Sequence, residues 1–372
     1  MNWNIPLFKI YWDEQDVEKT SEVIKSGINW AIGPNIQKFE RMLAGYVGAE
    51  HAVVFNSGTS ALHAALLSSG IGQGDEVIVP SFTFIATVNA PLFVGAKPIF
   101  ADIEEKTYGL DPEAVEKAIT ARTRAIVPVH YGGSPCCIEK LAQIAEKHNL
   151  LLIEDAAESL GAGVGTFGDA AILSFCANKV ITTGEGGAVV TNSGDICEKL
   201  KLVRSHGRTE TSDYFSTTEY LEYVALGYNF RMSNIAAALG IAQLEKIDEI
   251  IQMRREKAGY MTQRLSQIEG ITLPSVSDNS FHVYQLYTIR VKGEKEQRDS
   301  LMNHLNQDGI MAKVYFHPVH LSQFYRERFG YQGGELPMTE KIAGQVLTLP
   351  MYPTLTKEEI DYIADEITAF FS

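Results

Sequence analysis

Between His51 and about residue 190 the chain alternates short β-rich runs with helical patterns, and no other feature narrows its fold as much. HAVVF precedes SALHAALL, DEVIVP precedes a helix near Ile85 to Val94, KPIFAD precedes DPEAVEKAI, TRAIVPVH precedes IEKLAQIAEKH, and LLIED closes the series. Such alternation builds βαβ units around a mostly parallel sheet, which predicts a doubly wound α/β core. Open sheets of this kind bind ligands beyond the carboxyl ends of their strands, so the residues placed there are the first candidates for chemistry.

After Asp155 the rhythm changes. AAILSF and GGAVVT read as two further strands separated only by a turn that carries Lys179. Apolar Ile235, Leu239, Leu244 and Ile247 fall close to helical spacing and predict one helix from about Asn234 to Ile251, joining the core to a second lobe. Beyond it, HVYQLYTIRV reads as a strand, EQRDSLMNHLNQDG as a helix ending at Gly309, and TKEEIDYIADEITAFF as an amphipathic closing helix. The division expected is a large α/β domain over residues 1–250 and a small C-terminal α+β domain over 251–372. At 372 residues and 45% hydrophobic content, the chain has material for both cores.

Lys+Arg number 32 against Asp+Glu 46, a net charge of −14 with no long basic run, which argues against a nucleic-acid or anionic-lipid partner. Four cysteines (Cys136, Cys137, Cys176, Cys197) lack zinc spacing and are too few for a disulfide scaffold, so they read as reduced thiols in a cytoplasmic protein. The start, MNWNIPLFKIYWDEQD, has no signal-peptide pattern, and no apolar run approaches membrane-spanning length.

Lys179 lies in SFCANKVITTGEGG, beyond a buried strand and before glycines that let a ligand approach. A lysine so placed suits imine formation with a carbonyl. In LLIEDAAES, a strand delivers Asp155 to the sheet edge, either as the partner of a protonated ring nitrogen or as a helix cap. In FNSGTSALHAALL, Gly58 and Thr59 open a helix whose free N–H groups suit a phosphate, although SGTS is also an ordinary capped entry. Ser174 can add a hydroxyl, and Phe84 in PSFTFIAT can stack on a planar ring; either alone also reads as core or turn. A phosphate cradle, a stacking aromatic, a ring-nitrogen acid and an imine lysine, each at a strand end, are together what pyridoxal 5'-phosphate requires.

With NSGTSAL, PSFTFIAT, EDAAESLGA, SFCANKVITTGEGG and LGYNFRMSNIAAALG, the chain resembles the DegT/DnrJ/EryC1/StrS sugar aminotransferases, from PLFKIYWDE near the start to LPMYPTLTKEEIDYI near the end. The resemblance implies the fold-type-I architecture of pyridoxal-phosphate aminotransferases, with a mostly parallel seven-stranded sheet in the large domain. It implies that Lys179 binds the cofactor aldehyde, Asp155 the pyridine nitrogen, and Gly58, Thr59 and Ser174 the phosphate, with Glu158 on the O3′ side and Phe84 stacked on the ring. It also implies a homodimer with shared active sites, in which Asn229 reaches the neighbouring subunit's phosphate. Some members carry glutamine where this chain has Glu158, and tyrosine or tryptophan where it has Phe84. A dehydratase branch has histidine in place of the lysine, and Lys179 separates this chain from it.

The implied reaction is a ping-pong transamination from L-glutamate to a keto-sugar carried on a nucleoside diphosphate. YFHPVHLSQFYRERFGY is closer to members acting on 4-keto sugars. A 3-keto acceptor, a non-catalytic regulator and another fold-type-I lyase are the alternatives. His317 and His320 are candidate substrate contacts; Pro318 between them and the want of a third ligand disfavour a metal. Arg231 is a candidate for a carboxylate or diphosphate, or else a helix-start ion pair. Gly163, Gly165 and Gly168 match G-x-G-x-x-G, but a strand follows where a dinucleotide site needs a helix.

Overall fold

The computed structural model describes residues 3–209, 220–275 and 280–372. Seven strands form the large sheet: β1 (His51–Phe55), β2 (Glu76–Pro80), β3 (Lys97–Ala101), β4 (Thr123–Ile126), β5 (Leu151–Asp155), β6 (Ala170–Ser174) and β7 (Gly187–Thr191). Their order is β1-β7-β6-β5-β4-β2-β3. β7 runs antiparallel to both β1 and β6, and the other pairings are parallel. This is a doubly wound, mostly parallel α/β sheet of seven strands, as the sequence predicts.

Both faces are covered, as a parallel sheet requires. Val53, Phe55, Val79, Ile153 and Val189 bury one face under α3 (Gly58–Ser68), α4 (Ile85–Phe93) and α7 (Gly194–Arg204). Before these helices come α1 (Glu14–Lys25) and α2 (Pro34–Val47); between them lie α5 (Pro112–Ala118) and α6 (Ile138–His148). α2 packs Phe39 and Leu43 against Val54, Leu173 and Val190 on the other face, and α6 packs Leu141 and Ile144 against Ile126 and Leu152.

The single helix expected over Asn234–Ile251 is two, α8 (Asn234–Glu245) and α9 (Ile247–Leu265). At Lys246 the backbone leaves helical geometry (φ −118°, ψ 15°), and the side chain is drawn 2.6 Å from both Asp13 Oδ1 and Asp16 Oδ2. A buried ion pair between α1 and the junction thus overrides a sequence pattern that is helical throughout. α9 then spans both cores, with Ile250 and Ile251 in the large one and Met261 and Leu265 in the small one.

The small core surrounds the antiparallel sheet β10-β9-β8, made of β8 (Ile271–Thr272), β9 (Tyr287–Val291) and β10 (Val346–Leu349). α10 (Lys295–Gln307), α12 (Pro337–Gln345) and α13 (Lys357–Phe371) complete the lobe, whereas α11 (Gln323–Phe329) returns to the large core through Tyr325. Ile5 belongs to this core as well and bridges to Ile310. Only the second half of HVYQLYTIRV is strand. Its first half is held elsewhere, the Val283 and Leu286 amides donating to Gly133 and Gly132 of the large lobe, each over 2.9 Å.

Candidate active site

The carboxyl ends of β1, β2, β5 and β6 gather the residues singled out from the sequence. α3 starts directly after β1, and Ser57 caps it by accepting from the Ser60 N–H at 3.1 Å. This leaves the first amides, those of Gly58 and Thr59, pointing out of the helix end, where the macrodipole favours an anion. A Cβ on Gly58 would stand 3.0 Å from Ser174 Cβ and 3.1 Å from its Oγ, so the glycine lets the helix start close on the end of β6.

Asp155 ends β5 and is 4% exposed. Burial raises its pKa, while the Thr87 hydroxyl, the Ala157 amide and the charge of Lys179 act the other way. Thr87 Oγ1 donates to Asp155 Oδ2 over 2.7 Å and lies 2.9 Å from Thr83 Oγ1; the Ala157 N–H donates to Oδ1 over 3.2 Å. Thr83 and Thr87 lie within the PSFTFIAT motif but were not assigned from it. Two hydroxyls spaced i, i+4 at the start of a helix were the signal.

Lys179 is nearly buried, and its Nζ lies 3.2 Å from Glu158 Oε1. Glu158 Oε2 accepts the Gly132 N–H over 2.9 Å, which fixes the carboxylate in front of the lysine. Phe84, at the N-terminus of α4, keeps 60% of its surface exposed, and its ring centroid is 6.3 Å from that of Phe316. An apolar ring standing open at a strand end has room for a planar partner.

These features fit pyridoxal phosphate on four counts: a nearly buried amine for the aldehyde, a buried acid whose burial cost an opposite charge would offset, an anion-binding helix start, and an open aromatic face. Nothing in the arrangement conflicts with that cofactor.

Other candidates sit apart or differ from expectation. Asn229 is exposed, and its carbonyl accepts from Asn56 Nδ2 over 3.4 Å. Arg231 donates to Ser205 Oγ over 3.3 Å and lines a cleft of about 860 Å³ together with Arg41, Arg204 and Arg208; Lys179 and Asp155 are not in its walls. His317 is exposed on the segment that carries Tyr315 and Phe316. The expectation that His320 contacts substrate does not fit its placement: it is 0% exposed, with Nδ1 2.7 Å from Ser81 Oγ and Nε2 3.2 Å from Glu340 Oε1. Folding of α12 brings Glu340 to it, which no local sequence signal announces. Glu335 and Glu340 approach the same histidine, but backbone amides of Gln332, Gly333 and Gly334 donate to those carboxylates.

The glycine run has a structural use. The amides of Gly165, Phe167 and Gly168 donate to Glu154, over 2.9, 2.8 and 3.1 Å, and His130 Nε2 lies 3.0 Å from the same buried carboxylate. Because the Cys136 N–H donates to His130 Nδ1, the ring hydrogen sits on Nε2 and donates to Glu154.

Comparison with known proteins settles the class. The model of the DegT/DnrJ/EryC1/StrS aminotransferase family matches residues 11–368. The chain belongs to this family. It is 39% identical to the GDP-perosamine synthase of Caulobacter vibrioides over 90% of this chain and 89% of that one. Its structure matches that of Helicobacter pylori PseC, an aminotransferase involved in the biosynthesis of pseudoaminic acid, with a TM-score of 0.91, 32% identity and 99% of both chains covered. NtdA from Bacillus subtilis, solved with bound cofactor PMP, matches with a TM-score of 0.88 and 31% identity, over 96% of this chain and 81% of that one. This family member is a pyridoxal-phosphate-dependent aminotransferase. Among its described residues no helix is long and apolar enough to cross a membrane.

Proposed function

We propose that the protein transfers an amino group from L-glutamate to the 4-keto position of a 6-deoxy sugar carried on a nucleoside diphosphate, releasing 2-oxoglutarate and a nucleotide amino-sugar. The observation that carries this reading is the meeting of Lys179, Glu158 and Asp155 at one sheet edge beside the start of α3. The likeness to a GDP-perosamine synthase supports a nucleotide-linked amino-sugar product, and the YFHPVHLSQFY segment supports the 4-keto position.

Bound pyridoxal phosphate supplies an electron sink for the carbon that loses its proton. Lys179 would hold the cofactor through its Nζ and, with that amine free, would serve as the base and acid that moves the proton at the substrate carbon. Glu158, fixed by Gly132, holds that Nζ in place. Asp155 keeps the ring nitrogen protonated, and burial makes that charge pairing strong. Gly58, Thr59 and Ser174 would hold the phosphate, Phe84 would stack on the ring, and His317, exposed on the segment that carries Phe316, would face the acceptor, whereas Arg231 lines a separate cleft.

The active unit is a homodimer with shared sites. Asn229 is exposed on its own chain, and Tyr220, Val224, Leu226, Trp30 and Phe93 on neighbouring segments expose 84%, 56%, 82%, 49% and 48% of their surfaces. Apolar surface on this scale favours a protein partner.

A panel of nucleotide 4-keto and 3-keto sugars, assayed for glutamate consumption with Lys179→Ala as control, tests the reading. The 4-keto sugars should be consumed. Turnover confined to 3-keto sugars would move the site of amination, and a protein inert toward every sugar, with no cofactor trapped at Lys179 on borohydride reduction, would end the proposal.

A further inference from the structure

One buried side chain of the small lobe touches the backbone of the lysine turn and has no part in the chemistry described so far. Gln285 is 3% exposed, its Nε2 donates to the Asn178 carbonyl, and its Oε1 is buried without a hydrogen-bond partner. A buried amide with one end unsatisfied is costly, so the end that is used has to matter for the side chain to be kept there. The used end grips the residue immediately before Lys179.

The segment that carries Gln285 reaches the lysine by a second route. The Leu286 N–H donates to the Gly132 carbonyl and the Val283 N–H to that of Gly133. The Gly132 N–H in turn donates to Glu158, whose other oxygen lies 3.2 Å from Lys179 Nζ. The contact is tight: a Cβ on Gly133 would stand 2.7 Å from Val283 Cγ2 and 2.8 Å from the Gln285 nitrogen, and Gly133 holds φ +99°. One strap from the small lobe therefore fixes both the backbone beneath Lys179 and the carboxylate in front of its amine.

We propose that Gln285 is a positioning residue for Lys179, acting through the Asn178 carbonyl to hold the lysine turn in register with Glu158. Gln285 also lines, with Asn178 and Tyr315, a cavity of about 10 Å³, on the order of one water molecule. This inference rests on Lys179 being the cofactor lysine.

Gln285→Met keeps the length and volume of the side chain and removes the N–H donor, whereas Gln285→Glu keeps the shape and replaces the donor with an acceptor. In the cofactor-free protein, amide hydrogen exchange over residues 176–180 should quicken about 10-fold in both variants, with α10 unchanged. In the loaded enzyme, kcat for the glutamate half-reaction should fall about 10-fold with KM for glutamate held, as expected when a reacting group is misplaced rather than unbound. Unchanged exchange over 176–180, or a rise spread equally over the small lobe, would overturn the assignment by showing a merely structural role. Borohydride trapping in the unmodified enzyme separates the two readings: cofactor found on a lysine other than Lys179 defeats the proposed function itself, whatever Gln285 does.

Discussion

Thr87 donates its hydroxyl hydrogen to Asp155 Oδ2 over 2.7 Å, so a threonine at the start of α4 favours the ionised form of a carboxylate at the end of β5 against the burial that raises its pKa. Thr83 supplies the hydrogen bond that completes the relay, 2.9 Å behind Thr87. Thr87→Val preserves shape and removes the donor. Cofactor affinity should then fall roughly 10- to 100-fold, the range for a hydrogen bond to a charged group. A spectrophotometric titration of the cofactor-free protein measures it, and unchanged affinity would show that the relay does not tune Asp155.

The same carboxyl sets a pH dependence whose sign follows from its environment. Burial raises the Asp155 pKa in the folded, cofactor-free protein. Between the unfolded value, about 4, and the raised folded value, the native state binds more protons than the unfolded one. Stability contributed by this group is therefore present at acid pH and declines as pH rises through that window. Asp155→Asn abolishes the titration, so its melting temperature should gain on that of the unmodified cofactor-free protein as pH goes from 4 to 7. A difference that is flat with pH would contradict the assignment.

Glu154 shows the opposite sign. Burial alone would raise its pKa, but His130 and the Gly165 and Gly168 amides outweigh burial and lower it. Its contribution is thus full above the unfolded carboxyl value and is lost only as pH falls through the lowered folded one. Glu154→Ala leaves three amides and an imidazole N–H without their acceptor, and should cost about 3–5 kcal/mol in chemical denaturation, as for a broken buried pair. Exchange protection at Gly165, Phe167 and Gly168 should vanish with it.

Much of this architecture was legible because strand and helix patterns are local. The alternation from HAVVF to LLIED pointed to the parallel sheet and to Asp155 at a strand end, and the turn between AAILSF and GGAVVT to Lys179. Long-range pairing was not legible. Nothing near Lys246 in the sequence announces Asp13 and Asp16, more than two hundred residues away, yet they break a helix that reads as continuous. HVYQL is as β-rich as YTIRV, but Gly132 and Gly133 take its amides before a neighbouring strand can. His317 and His320 look equivalent until Glu340 folds against one of them.

That difference between the histidines is testable. His320 is buried and bonded to Ser81 and Glu340, whereas His317 is exposed on the segment with Tyr315 and Phe316. His320→Ala should cost about 2–3 kcal/mol of stability by stranding buried polar groups. His317→Ala should leave the melting temperature unchanged and raise KM for the keto-sugar. Equal loss of stability in both variants would mean that the two share one structural role.

The shared-site reading makes a prediction that a self-contained chain cannot meet. Asn229 is exposed on its own chain, while Lys179 is nearly buried and Glu158 buried in theirs. If each site takes its lysine from one subunit and Asn229 from the other, Lys179→Ala and Asn229→Ala chains carry complementary lesions. A heterodimer of the two then contains one site with both residues intact and one with both removed. The purified heterodimer should therefore show about half the activity of the unmodified enzyme. If both residues served the site of their own chain, every site in the mixture would carry one lesion, and mixing would add nothing to the average of the parent variants. Co-expression with two affinity tags, followed by tandem purification of the heterodimer, decides between these outcomes on a single assay.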